Sequence, residues 1–261
     1  AVKDTLVLVF TPAPTANAGA DLSVCANNAM ATLNGTVTVA SGAVWSGGLG
    51  TFSPNAQTLA AQYTPTPFEV QSGQVQLALT TKGNGNCLAV TDSITVQVTP
   101  APVVDAGLDI TTCSNVLQVP LAGTMTGGAT TGLWSSSGTG NFSPDASDLH
   151  ATYTASSLDS LNGSVVLTLT STNNGLCDAV SDAVTVTVLP SATASAGPDQ
   201  SICASEATVQ LAGAITGNAT AGTWTSTGSG TFSPDAHDPD ATYQVTAMDT
   251  AAGSLTFTWS V

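Results

Sequence analysis

Leu133-Trp-Ser-Ser-Ser-Gly-Thr-Gly-Asn-Phe-Ser-Pro144 returns twice in variant form, as Val44-Trp-Ser-Gly-Gly-Leu-Gly-Thr-Phe-Ser-Pro54 and as Thr223-Trp-Thr-Ser-Thr-Gly-Ser-Gly-Thr-Phe-Ser-Pro234. Other landmarks on either side of these stretches keep the same spacing. Asn17-Ala-Gly-Ala-Asp21 is matched by Asp105-Ala-Gly-Leu-Asp109 and Ser195-Ala-Gly-Pro-Asp199. Cys25 is matched by Cys113 and Cys203, Leu33-Asn-Gly35 by Leu121-Ala-Gly123 and Leu211-Ala-Gly213, and Tyr63 by Tyr153 and Tyr243. All offsets are 88 to 90 residues. That period is too long for a solenoid unit and suits a small β-sandwich domain.

Alternation supplies the strands. Leu117, Val119 and Leu121 face one way. Val165, Leu167 and Leu169 alternate with Val166 and Thr168, and Val184, Val186 and Val188 with Thr185 and Thr187. Asn173-Asn-Gly175 marks a turn. Six or seven strands in about 90 residues predict an all-β, immunoglobulin-like sandwich. Trp45, Trp134 and Trp224, with Tyr63, Tyr153 and Tyr243, are the expected core aromatics. Prolines at Pro100-Ala-Pro102 and Leu189-Pro-Ser191 mark short, semi-rigid links. The expected organisation is the last strand of a preceding repeat plus linker over 1–14, repeat 1 over 15–101, repeat 2 over 102–190 and repeat 3 over 191–261. Residues 4–10 are expected to be that last strand, because Asp4-Thr-Leu-Val-Leu-Val-Phe10 matches Asp92-Ser-Ile-Thr-Val-Gln-Val98 and Asp182-Ala-Val-Thr-Val-Thr-Val188. Repeat 3 is read as truncated before its own last strand.

Composition narrows the function. Of 261 residues, 17 are acidic and only Lys3 and Lys82 are basic, a formal net charge of −15. A nucleic-acid binder needs many more cations to meet phosphates, and so does a polybasic membrane-surface protein. At 42% hydrophobic and rich in Val and Thr, the chain does not read as disordered.

Five cysteines divide as two pairs and a single. Cys25 with Cys87 and Cys113 with Cys177 would close similar spans, and regular pairs in small β-domains read as disulfides of an oxidising compartment. Cys203 is left unpaired in this window. The pairing meets one geometric difficulty: strictly alternating strands place the end of the first strand and the turn before the last at opposite poles. The runner-up pairs Cys87 with Cys113 and Cys177 with Cys203 across the links.

Sites of chemistry are few. No acid–base or nucleophilic constellation suggests an enzyme. His150 and His237 read as surface residues. No cofactor is expected. Asp235, Asp238 and Asp240, and the smaller set Asp145 and Asp148, are candidate calcium ligands because clustered loop carboxylates suit that ion; turn capping is the competing reading. Asp21, Asp109 and Asp199 read first as backbone caps and second as interdomain calcium ligands.

Ala-Gly-x-Asp, Thr-Cys, Leu-x-Gly, Trp, Gly-x-Phe-Ser-Pro, Tyr, and Asn-Gly-x-Cys before Asp-Ser-Ile-Thr-Val together resemble the PKD-like and immunoglobulin-like repeats of giant Bacteroidota surface proteins. The best-known of these are gliding-motility adhesins exported by type IX secretion. The resemblance covers essentially the whole chain. It implies an extracellular bacterial surface filament or stalk, part of an adhesin. It also implies O-glycosylation at Asp-Ser/Thr pairs followed by an apolar residue, here Thr5, Ser93, Ser160 and Thr250, with Thr5 and Ser93 at one structural position.

Two functions follow as expectations: a structural stalk segment, or a module binding carbohydrate or a surface. Expected partners are further repeats of the same protein or neighbouring subunits of a filament, with glycans or surfaces in the second reading. Completion of repeat 3 is expected from covalent continuation or from a strand donated by another subunit. Continuation is the favoured reading, because residues 1–10 hold no cysteine to meet Cys203.

Overall fold

A computed structural model describes residues 2–261. In repeat 1, β1 (Thr15–Asn17), β2 (Leu22–Cys25), β3 (Ala31–Thr32), β4 (Thr36–Thr38), β5 (Gly42–Ser46), β6 (Thr51–Ser53) and β7 (Gln62–Thr64) lead to a one-turn helix, α1 (Pro67–Ser72), and two long strands, β8 (Gln74–Lys82) and β9 (Thr91–Thr99). One sheet has the order β2-β9-β8-β5, the opposing one β3-β7-β6, and β1 pairs with β4. The long strands exist because their apolar residues recur every second position, so one face of each is buried. Leu77, Leu79, Ile94 and Val96 form that face against Leu33 and Tyr63 of the other side. This is an immunoglobulin-like β-sandwich.

Repeat 2 reproduces the pattern with β10 (Val103–Asp105), β11 (Ile110–Cys113), β12 (Gln118–Pro120), β13 (Thr124–Thr126), β14 (Thr131–Ser136), β15 (Asn141–Ser143), β16 (Thr152–Thr154), α2 (Ser157–Asn162), β17 (Ser164–Thr172) and β18 (Ser181–Leu189). Its sheets are β11-β18-β17-β14, β12-β16-β15 and β10-β13. Repeat 3 has β19 (Thr193–Ser195), β20 (Thr208–Gln210), β21 (Ala214–Thr216), β22 (Thr223–Ser226), β23 (Thr231–Ser233), β24 (Thr242–Gln244), α3 (Ala247–Ala252) and β25 (Phe257–Ser260). Each repeat has its own buried cluster.

Trp45, Trp134 and Trp224 lie at the centre of these clusters, each 2% exposed, and Tyr63, Tyr153 and Tyr243 are fully buried. The indole N–H groups donate to Leu59 O at 3.2 Å, Leu149 O at 3.3 Å and Asp238 O at 3.1 Å. A buried indole needs such an acceptor. The Leu-x-Gly landmark follows from the same packing: a Cβ on Gly123 would sit 2.8 Å from Leu169 and 2.9 Å from Trp134.

The first strand is split. After β1 the chain bends at Gly19, whose φ is +95°, and β2 crosses to the other sheet. There β2 runs parallel to β9, with Leu22 opposite Val96 and Cys25 opposite Thr99. Cys25 therefore sits where β9 leaves the domain, whereas Cys87 precedes β9 and sits at the other pole. The expected bonds Cys25–Cys87 and Cys113–Cys177 are not present. The structure joins Cys25 to Cys177, and Cys87, Cys113 and Cys203 are free thiols. The cross-link pairing Cys87–Cys113 is not formed either.

In repeat 3 the sheet built on β22 contains only β22 and β25. Ser201–Cys203, equivalent to the end of β2, forms no strand. A parallel edge strand needs a last strand to pair with, and none is present among the described residues. Residues 2–10 have no strand partner. Leu6, Leu8 and Phe10 are 94%, 71% and 85% exposed. Residue 1 of the expected segment 1–14 lies outside the described residues.

A candidate functional site at the junction of repeats 1 and 2

Two places gather polar groups. The first recurs in every repeat. Thr66, Ser156 and Thr246 each cap a short helix, and Glu69, Asp159 and Asp249 complete the capping box. The acid does more than cap. Asp159 Oδ1 accepts from Thr139 N (2.9 Å), and Oδ2 accepts from Ser156 N (2.9 Å), Tyr153 Oη (2.9 Å) and Gly140 N (3.1 Å). Glu69 and Asp249 do the same with Tyr63 at 2.8 Å and Tyr243 at 3.2 Å. Each tyrosine hydroxyl in turn accepts from Gly50, Gly140 or Gly230 N. The node ties the loop after the tryptophan strand to the helix across the core.

Charge is held there by geometry. For Glu69 and Asp159 burial raises the pKa, but the backbone and hydroxyl donors outweigh it and the net shift is downward. Asp249 is lowered to about 2, first by the Ser229 and Thr246 backbone N–H groups. Tyr63 is pushed up to about 12, first by burial and then by its bond to Glu69. The signs fix a pH profile. Carboxylates depressed in the folded state contribute stability above their unfolded pKa of about 4, and that contribution is lost as pH falls towards 2. Tyr63 contributes below its unfolded value of about 10 and is lost as pH rises through about 12. Thermal melts at stepped pH are expected to show a flat middle and losses in both windows. A melting temperature unchanged between pH 4 and 2 would refute the acid limb.

The second place is the junction. Pro100 to Pro102 connects the repeats, and Cys25 and Cys177 close over it, 152 residues apart in sequence. Beside the bond, Asn27 Nδ2 donates to Asp178 O (3.0 Å) and Asp178 N donates to Asn27 Oδ1 (3.1 Å). Cys177 Sγ lies 3.5 Å from Pro100 O and 3.9 Å from Thr99 Oγ1. The β13–β14 turn packs under the link. A Cβ on Gly128 would overlap Pro100 O and come within 2.9 Å of Cys177 Sγ. Gly128→Ala is expected to destabilise this junction by about 1–3 kcal/mol, read by urea denaturation. Gly42→Ala, whose new Cβ meets nothing within 4 Å, is the control and should not lose stability.

The remaining residues singled out in the sequence lie elsewhere. Asp145, Asp148, Asp235 and Asp238 each accept the backbone N–H two residues on, from Ser147, His150, His237 and Asp240, at 2.7–2.9 Å. These are turn-forming bonds. Among the described residues no three His, Cys, Asp or Glu side chains gather where they could hold a metal, so the candidate calcium ligands, Asp240 included, are not brought together. Asp21 and Asp109 accept from Thr95 N and Thr185 N, each at 2.8 Å. His150 and His237 are exposed.

Thr5, Ser93 and Thr250 are exposed and Ser160 is half-buried. The aspartates before three of them are already engaged: Asp92 Oδ2 accepts from Ala18 N at 2.8 Å, and Asp159 and Asp249 belong to the tyrosine nodes. Capping boxes at 66–69, 156–159 and 246–249, each followed by a glycine, were the readable signal for helices that an all-β expectation missed.

No protein-family model matches the chain, and no curated protein matches it. Solved structures do. A three-domain I-band fragment of titin is 10% identical with a TM-score of 0.46, over 92% of this chain and 91% of that one. A three-repeat fragment of mouse cadherin-23 is 12% identical with a TM-score of 0.40, over 89% and 88%. The immunoglobulin domains 1–5 of Sidekick-1 are 14% identical with a TM-score of 0.36, over 82% of this chain; the chain spans 47% of that fragment's length.

Proposed function

We propose that this chain is a structural segment of an extracellular stalk, built from tandem immunoglobulin-like repeats held in fixed succession and carrying no catalysis. The observation that carries the reading is the Cys25–Cys177 bond across the junction of repeats 1 and 2. A disulfide persists in oxidising surroundings, and one placed between domains restrains how each repeat sits on the next. The charge of −15 keeps such a segment dissolved and repels nucleic acid. The repeat motifs extend the proposal to a Bacteroidota surface protein of the type IX-secreted adhesin kind, glycosylated at Thr5 and Ser93.

One observation favours an adhesive module as second reading. Phe68, Leu158 and Met248 occupy one position of the three helices and are 68%, 48% and 75% exposed, a repeated apolar contact. Two measurements test the stalk. Antibodies to repeats 1 and 2 should label unpermeabilised cells of the source organism, and the purified chain should bind no glycan on an array. Labelling only after permeabilisation would overturn the extracellular stalk; saturable glycan binding would favour the adhesive module.

A further inference from the structure

Asparagine is followed by glycine at Asn34-Gly35, Asn84-Gly85, Asn162-Gly163 and Asn174-Gly175. Such a pair carries an intrinsic reaction: the glycine nitrogen attacks the asparagine side-chain amide, and a residue without a Cβ hinders that approach least. The fold treats the pairs differently. Gly35 N donates to Leu59 O at 3.0 Å, and Gly163 N donates to Asp159 O at 3.1 Å and to Ser160 O at 3.2 Å. Gly35 is also packed in, since a Cβ there would come within 2.7 Å of Leu79 and 2.9 Å of Trp45. At these two pairs the attacking nitrogen is occupied, by the core in one case and by a helix cap in the other.

Asn84 and Asn174 hold one position in two repeats, in the loops β8–β9 and β17–β18. Each opens a turn that a cysteine closes: Cys87 N donates to Asn84 O at 3.1 Å, and Cys177 N to Asn174 O at 2.9 Å. Gly85 and Gly175 come second in those turns, with φ of +61° and +59°. The N–H of a second residue takes no part in the bond that closes a turn. Neither glycine N–H meets a backbone acceptor among the described residues. A Cβ on either glycine would meet nothing within 4 Å, so the chain has room to bend there. The side chains are weakly held. Asn84 Nδ2 donates to Thr81 O at 3.4 Å and Asn174 Nδ2 to Ser171 O at 3.3 Å. Each Oδ1 is shielded from solvent and accepts from no group among the described residues. An acceptor buried without a partner is destabilised, so turning the amide towards the glycine nitrogen gives up one long bond only.

We propose that Asn84 and Asn174 are sites of spontaneous deamidation, and that conversion of Asn174 loosens the loop that seats the disulfide between repeats 1 and 2. The glycine nitrogen bonds to Cγ and loses its proton. The Cγ–Nδ2 bond breaks, and Nδ2 leaves with that proton as ammonia. Water then opens the cyclic imide at either carbonyl, giving aspartate or, with the chain rerouted through Cγ, isoaspartate. No electron is transferred, and each event adds one negative charge. In the isoaspartate form the main-chain carbonyl of Asn174 has become part of a free carboxylate, so the turn onto Cys177 N is lost. In the aspartate form a carboxylate replaces the shielded amide, and a charge without a partner there moves out to water. Both forms release the loop that holds Cys177 Sγ 3.5 Å from Pro100 O. The age of the molecule then sets how readily Cys25–Cys177 opens.

These sites rest on the two loops and not on the stalk reading. The oxidised chain, with its free thiols alkylated, is aged in mildly alkaline buffer and mapped over time by peptide mass spectrometry. Asn84 and Asn174 should convert roughly tenfold faster than Asn34 and Asn162, whose glycine nitrogens must first give up a hydrogen bond. Isoaspartate should appear among the products, and in urea the rates should converge. The junction is read by the rate at which limiting dithiothreitol opens Cys25–Cys177. Loss of one hydrogen bond corresponds to roughly fivefold in an opening equilibrium, so the aged chain should be reduced about fivefold faster than the fresh one. Asn174→Gln, whose longer side chain closes the ring poorly, should keep the fresh rate after ageing, and Asn84→Gln should still accelerate. The proposal is overturned if Asn34 or Asn162 converts as fast as Asn84 and Asn174 in the folded chain, if the difference persists in urea, or if chains converted at Asn174 are reduced at the fresh rate.

Discussion

Cys25→Ser is expected to lower the stability of the unit formed by repeats 1 and 2 by about 4–5 kcal/mol. In the chain-entropy account a cross-link stabilises by restricting the unfolded chain, and the restriction grows with the loop it closes, reaching about 4.7 kcal/mol near 100 residues. Here the separation is 152. Cys25 is fully buried, so serine adds the cost of a poorly placed hydroxyl. Urea denaturation followed by tryptophan fluorescence measures the effect, because Trp45 and Trp134 report one repeat each. Dithiothreitol should reproduce the loss in the unaltered chain and leave Cys25→Ser unaffected. A shift below about 1 kcal/mol in both arms would show that the bond does not constrain the unfolded pair.

Asp159→Ala is expected to cost repeat 2 about 3–5 kcal/mol. The carboxylate accepts from the N–H groups of Thr139, Gly140 and Ser156 and from the Tyr153 hydroxyl, and is 1% exposed. Each donor left buried without an acceptor costs about 1–3 kcal/mol, and some of the four will recruit water. Tyr153→Phe removes one donor and should cost about 1–2 kcal/mol. A double-mutant cycle between the two should be non-additive, since they share a hydrogen bond. The Trp134 signal should move and the Trp45 signal should not. Equal loss in both repeats would mean that the node acts beyond its own domain.

The sandwich was legible because three copies of one pattern averaged out the ambiguity of each. Trp, Phe-Ser-Pro and Tyr recur at fixed spacing, and strands with a period of two identify their buried faces without further help. The helices were hidden by their shortness. Six residues show no amphipathic period, and only Ser156 with Asp159, and the matching pairs in the other repeats, betrayed them as caps. Those aspartates looked instead like modification sites, because a capping acid followed by serine or threonine has the same local sequence.

The disulfide was misassigned for a different reason. Equal spacing within repeats made Cys25–Cys87 attractive, yet spacing along the chain says nothing about which pole a residue occupies. The polarity argument pointed to the conflict, and the parallel pairing of β2 with β9 resolves it: a first strand that switches sheets delivers its cysteine to the exit of the domain. Closeness along the chain says equally little about the candidate calcium ligands, which are not gathered into a cluster among the described residues. Asp235, Asp238 and Asp240 are close in sequence, but two of the three turn inward to their own backbone.

The crossing bond also decides how the segment answers a pull. Tension applied along the chain enters at Cys25 and leaves at Cys177 through two sulfur atoms, so the polypeptide between them carries none of it. At about 3.3–3.6 Å per residue, the 152-residue span withholds roughly 500 Å of contour length. The cores around Trp45 and Trp134 lie inside the bypassed loop, and only flanking strands such as β2 and β18 feel the load. Oxidised, this part of the segment behaves as a short tether with little slack; reduced, the same residues become an extensible spring. Its compliance is set by the redox state of a single bond.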